Sequence, residues 1–159
     1  MRRWLIAAVV SAAAGPAWAE LPVRHVLPEA AAIVIAQGTL ESCLAKGYAV
    51  SVVVVDQAGA TIVAIRADNA SPHTMENARR KAYTAMTFKV STTEYAKRYA
   101  DNNPVVQQQV TLPNVIAIPG GLPVKLGTEV IGGVGASGSP GVDEPCVQAG
   151  LDKAAALLK

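Results

Sequence analysis

The chain has 159 residues with a formal net charge of +2; 51% of them are hydrophobic but only 4% aromatic, so its core must be built from Val, Ile, Leu and Ala. The absence of a basic block argues against a nucleic-acid or acidic-membrane partner. So few aromatic rings argue against a platform for stacking single-stranded bases.

Met1-Arg2-Arg3 is a short basic start, and Trp4 to Ala14 is an almost unbroken apolar run. Gly15-Pro16 breaks any helix there, and Ala17-Trp18-Ala19 gives the small-x-small pattern read by signal peptidase. The run is shorter than the roughly 20 apolar residues that span a bilayer. Residues 1–19 therefore read as a cleaved bacterial export signal, and residues 20–159 as one domain without a membrane anchor. The expected location is the periplasm of a Gram-negative cell or the exterior. Loss of Arg2 and Arg3 from 14 basic residues leaves a mature chain balanced against its 12 acidic ones.

Pro28 suits the first turn of a helix, and Ile33, Ala36, Leu40 and Leu44 recur at helical spacing up to Lys46, with Gly47 as the stop. Ala49 to Val55 contains four consecutive valines and reads as a strand buried on both faces. The turn Asp56-Gln57-Ala58-Gly59 joins it to a second strand, Thr61 to Arg66, as a hairpin. A helix is expected from His73 to Val90, with Ala78, Ala82, Ala85 and Met86 on one stripe. Ser91 and Glu94 fit a capping box that opens a shorter helix to Ala100, which Asn102-Asn103-Pro104 ends. Val105 to Thr111 shows no clear period. Three strands are expected next: Val115 to Ile118, Val124 to Leu126, and Glu129 to Ala136. Asp143 then caps a last helix, from Glu144 to Leu158, with Pro145 in its first turn. The order α-β-β-α-α-β-β-β-α is that of an α+β domain, one mainly antiparallel five-stranded sheet with helices packed on it.

That order and four local strings resemble the GlcG/HbpS family of heme-binding proteins, whose domain is shared with the C-terminal part of PduO-type proteins. The strings are Val52-Val53-Val54-Val55-Asp56-Gln57-Ala58-Gly59, Arg80-Lys81-Ala82-Tyr83-Thr84-Ala85, Pro119-Gly120-Gly121-Leu122-Pro123, and Ile131-Gly132-Gly133-Val134-Gly135-Ala136-Ser137-Gly138. With the flanking helices they cover Leu27 to Leu158. The resemblance implies a profilin-like α+β sandwich, homo-oligomers, and binding of heme or another small molecule.

Only His25 and His73 carry an imidazole able to ligate heme iron, and no Cys-x-x-Cys-His run is present for covalent attachment. His73 lies at a loop-to-helix turn from which its ring can project into a pocket, with Met75 close in sequence as a second soft ligand; the alternative is a solvated loop histidine. His25 belongs to the N-terminal segment, either as a mobile surface residue or closing over a neighbour's pocket. Lys81 is a counter-charge for a ligand carboxylate such as a heme propionate, or a lysine snorkelling beside Arg79 and Arg80. Gly120 and Gly121 either present backbone N–H groups to an anion or simply turn the chain.

Enzyme templates are missing: no paired-histidine metal motif, no G-x-S-x-G elbow, no Walker loop. The glycines of Gly133-Val134-Gly135-Ala136-Ser137-Gly138 lie in and just past a strand, without the helix that would hold a pyrophosphate. No catalytic residue is assigned, and the residues point to binding rather than catalysis. The expected function is an exported protein holding heme non-covalently. The alternative is an enzyme or enzyme accessory of the same fold acting on a small organic acid or on heme itself.

Export also places Cys43 and Cys146 in an oxidising compartment. In the profilin-like sheet that the resemblance implies, the first and last strands are antiparallel neighbours. The end of the first helix then meets the start of the last. A Cys43–Cys146 disulfide is expected, with a Cα separation of roughly 4.4–6.8 Å; two separate buried thiols, or a redox-active pair, are the alternatives.

Overall fold

A computed structural model describes residues 21–159; the export signal read at residues 1–19 lies outside the described residues. The elements are α1 (Glu29–Leu44), β1 (Ser51–Asp56), β2 (Thr61–Arg66), α2 (His73–Phe88), α3 (Thr92–Ala100), α4 (Pro104–Gln109), β3 (Gly121–Leu126), β4 (Glu129–Ser137) and α5 (Asp143–Ala154), which a 3-10 turn extends over Ala155–Leu157. The strands form one antiparallel sheet in the order β2-β1-β4-β3. Among the described residues no helix is long and apolar enough to cross a membrane.

Strand β1 is central because its four consecutive valines, Val52 to Val55, make both of its faces apolar. Val52 and Val54 pack under α1 and α5 with Ile35, Val134 and Val147. Val53 and Val55 face the other way, against Ala78, Ala82 and Met86 of α2. The result is three layers: α1 and α5, the sheet, then α2.

Glycine and alanine set the spacing of the α2 layer. Side chains added at Gly133 and Gly135 of β4 would overlap the carbonyl oxygens of Ala82 and Ala78. The helix therefore rests on the strand almost backbone to backbone. On the opposite face α1 and α5 cross at Gly38 and Gly150, where a Cβ on Gly38 would come 3.1 Å from the Gly150 Cα.

Among the described residues the sheet has four strands, not five. Val115 to Ile118 runs beside α2 without joining the ladder, because α2 side chains occupy its backbone. The Ile116 N–H donates to Thr84 Oγ1 at 3.0 Å, and Arg80 Nη2 donates to the Val115 carbonyl at 2.6 Å. The ambiguous stretch after Asn103 is a short helix. Asn103 Oδ1 accepts from the Val105 and Val106 N–H groups, so Asn103 caps α4, with Pro104 in its first turn, rather than merely ending α3. Ser91 caps α3 as expected, accepting from the Glu94 N–H.

Cys43 and Cys146 form a disulfide with Cα atoms 5.5 Å apart. The antiparallel pairing of β1 with β4, Ser51 opposite Ser137, sets the end of α1 beside the start of α5. Both cysteines are fully buried.

The closeness of α2 to β4 yields a direct prediction. Gly135→Ala should lower stability by about 1–3 kcal/mol or more, because helix backbone cannot yield as a side chain can. Urea denaturation checks this; a midpoint within error of the parent's would contradict the packing described.

Candidate functional site

Residues His73, Asn77 and Lys81 lie four apart and so share one stripe of α2. Opposite them runs the loop that carries β4 into α5, and the two walls enclose a cleft of about 600 Å³. Ala49, Ile118, Pro119 and Pro140 supply apolar lining. The start of α2 is pinned to the sheet. Thr74 Oγ1 donates to the Ser71 carbonyl at 2.6 Å, which leaves the Ser51 hydroxyl to donate to Thr74 Oγ1 at 2.8 Å. His73 therefore projects from a fixed backbone.

The inner end of the cleft is an ion pair. Lys81, only 2% exposed, donates through Nζ to Asp143 Oδ2 and to the Ala136 carbonyl, each at 2.9 Å. The second oxygen, Asp143 Oδ1, accepts from the Ser139 N–H at 3.0 Å and the Ser139 hydroxyl at 2.7 Å. Burying two charges is tolerable only when they are paired and their remaining valences are met. Both oxygens of Asp143 are satisfied, and two of the three ammonium hydrogens are placed. Gly120, at φ +128°, makes room: a Cβ there would come 2.7 Å from Lys81 Nζ and 2.7 Å from the Ala136 oxygen.

The candidate residues separate in space. His73 is exposed at the mouth of the cleft, and its ring has no hydrogen-bond partner among the described residues. Met75 lies on a different face of α2 and packs towards Val53 and Val55, so it does not share the His73 cleft. Lys81 lines the cleft with its charge matched by Asp143. The Gly120 and Gly121 N–H groups are engaged internally, by Glu144 Oε1 at 3.3 Å and Thr92 Oγ1 at 2.8 Å. His25 sits by the first residue of β4, at the opposite end from Ser137, with Nδ1 2.6 Å from Glu129 Oε2. The His25 hydrogen bond holds the Glu129 carboxyl below its ordinary value.

Sequence reasoning missed three groups. Asp143 was expected only as a helix cap, but Val142 holds the cap position and the Asp143 carboxylate turns back to Ser139 and Lys81. Asn77 lines the cleft between His73 and Lys81, and its four-residue spacing was the available signal. Ser137 is 5% exposed, lines the cleft, and its hydroxyl has no partner among the described residues. Two further clefts, of about 550 and 570 Å³, lie along β3 and α5 and at the C-terminal end of α2. Neither is lined by an imidazole or by a buried charge.

These features define an α+β domain with a helix-walled cleft, an imidazole at its mouth and a neutralised ion pair at its floor. The chain belongs to the HbpS-like family: the family described as "Haem degrading protein HbpS-like" matches residues 27–152. A double mutant of HbpS from Streptomyces reticuli is similar at 34% identity and a TM-score of 0.77, over 88% of this chain and 97% of that one. The Klebsiella pneumoniae protein ORFY is 28% identical with a TM-score of 0.80, over 88% and 99% of the two chains. The structure described as a PduOC:heme complex shares the fold at 24% identity and a TM-score of 0.72, over 81% of this chain and 95% of that one. No curated protein matches the chain significantly.

The buried pair makes a testable asymmetry. Lys81→Met leaves Asp143 as a buried lone charge and should lower stability by about 3–5 kcal/mol. Adding Asp143→Asn removes that charge while keeping an acceptor for Ser139, and should restore a large part of the loss. Urea midpoints of both single variants and the double variant check this. A double variant as unstable as the sum of the singles would refute the pairing.

Proposed function

We propose that this protein holds heme non-covalently in the cleft between α2 and the 137–143 loop, with His73 as a ligand to its iron. The observation that carries the reading is the His73 ring, unpartnered among the described residues and fixed at the edge of a cleft in a chain of the HbpS-like family. A volume of about 600 Å³ lies within the usual range for small-molecule sites, about 300–1,000 Å³. The apolar wall of Ala49, Ile118, Pro119 and Pro140 suits a flat hydrophobic macrocycle. Asn69, Ser71 and Asn77 are the neutral polar groups assigned to its propionates. We do not assign Lys81 to them, since Asp143 already neutralises it.

When bound, heme supplies an iron centre that can change oxidation state or take up a further ligand. The residues of this chain would bind and orient it: His73 from the mouth, the apolar wall by excluding water, and the asparagines at the rim. The family's description names haem degradation; holding the macrocycle in a fixed pose is required for that as much as for storage or transport. We further propose that the domain works after export. The Cys43–Cys146 disulfide supports this, because such bridges persist in oxidising compartments.

Titration of the purified protein with hemin should give a sharpened, shifted Soret band, and His73→Ala should weaken binding about tenfold or more, ~1.4 kcal/mol. An unchanged spectrum, or an affinity that His73→Ala leaves intact, would overturn the ligand assignment. A thermal shift with small carboxylic acids but not with hemin would favour an organic-acid site instead. Intact-mass measurement of the exported protein should give a chain that begins at Glu20 and lacks Trp4 and Trp18.

A further inference from the structure

The disulfide and the cleft are joined by a buried chain of polar contacts. Cys43 Sγ lies 3.3 Å from Ser139 Oγ. Ser139 Oγ lies 2.7 Å from Asp143 Oδ1, and Asp143 Oδ2 lies 2.9 Å from Lys81 Nζ. Each of these residues is 5% exposed or less. Asp143 and Cys146 are three residues apart in the first turns of α5, so the bridge holds the same helix end that carries the carboxylate.

Counting protons shows what oxidation changes. Ser139 has one hydroxyl hydrogen, and the carboxylate is a far stronger acceptor for it than a sulfur. A disulfide sulfur carries no hydrogen. In the bridged protein the Cys43–Ser139 approach is therefore a contact without a hydrogen bond. Reduction adds two electrons and two protons, breaks the S–S bond and forms two thiols. The Cys43 S–H can then turn to a lone pair of Ser139 Oγ, but a thiol is a weak donor and does not replace the covalent restraint that is lost. At the same time the two sulfurs must separate from bonding distance to ordinary contact in a fully packed site, and Ser139 is one of the groups that Cys43 touches there.

We propose that the Cys43–Cys146 bridge and the ligand cleft are coupled through Ser139, Asp143 and Lys81, so that oxidation of the chain sets the cleft wall and tightens ligand binding. The loop between the bridge and the ion pair is that wall: Ser137, Gly138, Pro140, Gly141 and Asp143 all line the cleft. With the bridge closed, the loop is held from behind by the disulfide and in front by Lys81. A preorganised wall binds more tightly because less ordering remains to be done. Ser139 and Asp143 act here as positioning residues. The affinity part of the proposal rests on the heme reading above; the coupling itself does not.

The test compares the oxidised protein with protein reduced by a water-soluble phosphine, which takes up oxygen from water to become the phosphine oxide as the two thiols form. Since both sulfurs are buried, reduction is done in denaturant, followed by refolding and thiol counting. Hydrogen exchange should quicken across 137–143 and around Lys81 on reduction. In Ser139→Ala, which keeps the ion pair, the change should be confined to the neighbourhood of residues 43 and 146. Hemin should bind the reduced parent about fivefold more weakly, at the low end of common coupling between sites, and reduction should make little difference in Ser139→Ala. If the reduced chain does not refold, Cys43→Ser/Cys146→Ser supplies the unbridged state. Unchanged exchange at 137–143 and Lys81, or an equal response in Ser139→Ala, would overturn the coupling. Failure of hemin to bind even the oxidised parent would overturn the heme reading alone, leaving the exchange data to decide the coupling.

Discussion

The Lys81–Asp143 pair is the contact to which the cleft's architecture is tied. A lysine ammonium cannot be withdrawn from water unless its charge and its hydrogens are met. Meeting them constrains three separate segments. The Ala136 carbonyl must turn from the end of β4 to receive one hydrogen, and Asp143 must be brought round by the 137–143 loop to receive another. Position 120 must be glycine in geometry, since a Cβ would stand where Nζ passes. The loop that forms one wall of the cleft is thereby fixed to the helix that forms the other. Such a pair adds little net stability compared with a well-packed apolar substitute. What it does is tie the 137–143 loop to α2 at one point, through the Asp143 carboxylate.

The pair also depends on how closely α2 approaches the sheet. Lys81 reaches the carbonyl of Ala136 because Gly133 and Gly135 let the helix backbone settle onto β4, with Ala78 and Ala82 as its contact residues. Larger side chains on either surface would lift the helix and carry the ammonium away from its acceptors. The glycine-rich string of β4 is thus a packing surface first. Its resemblance to a nucleotide loop has no structural counterpart, since it lies within and just beyond an edge-to-edge paired strand with α2 across its face.

Much of the fold was legible because its determinants are local. Four consecutive valines can hardly be other than a doubly buried strand, and the alanine stripe of α2 shows the face that meets the sheet. The disulfide followed from strand order, itself taken from the family resemblance. What escaped was set by distant partners. Val115 to Ile118 has strand composition, but composition does not reveal that Thr84 and Arg80 take up its backbone groups. Asp143 has the residue type and position of a helix cap, and nothing local indicates that its carboxylate faces a lysine 62 residues away. In the site, the His73, Asn77 and Lys81 stripe could be read from spacing alone. The separation of Met75 from His73 was legible too, since two residues along a helix point to different faces.

The neutrality of the cleft floor bears on what kind of molecule the cleft suits. A lysine with unmatched charge at its inner end would favour a carboxylate placed deep inside, which is the organic-acid reading. Asp143, 2.9 Å from Nζ, cancels that attraction. A carboxylate pushed to the floor would meet its like charge and lose its water at once. Anionic groups are therefore better placed at the open rim, where solvent and the asparagines can serve them. The interior is left to an uncharged, largely apolar body. The macrocycle proposed above, with its acids on one edge, suits that distribution of charge better than a small, fully ionised acid, which is the basis for preferring it.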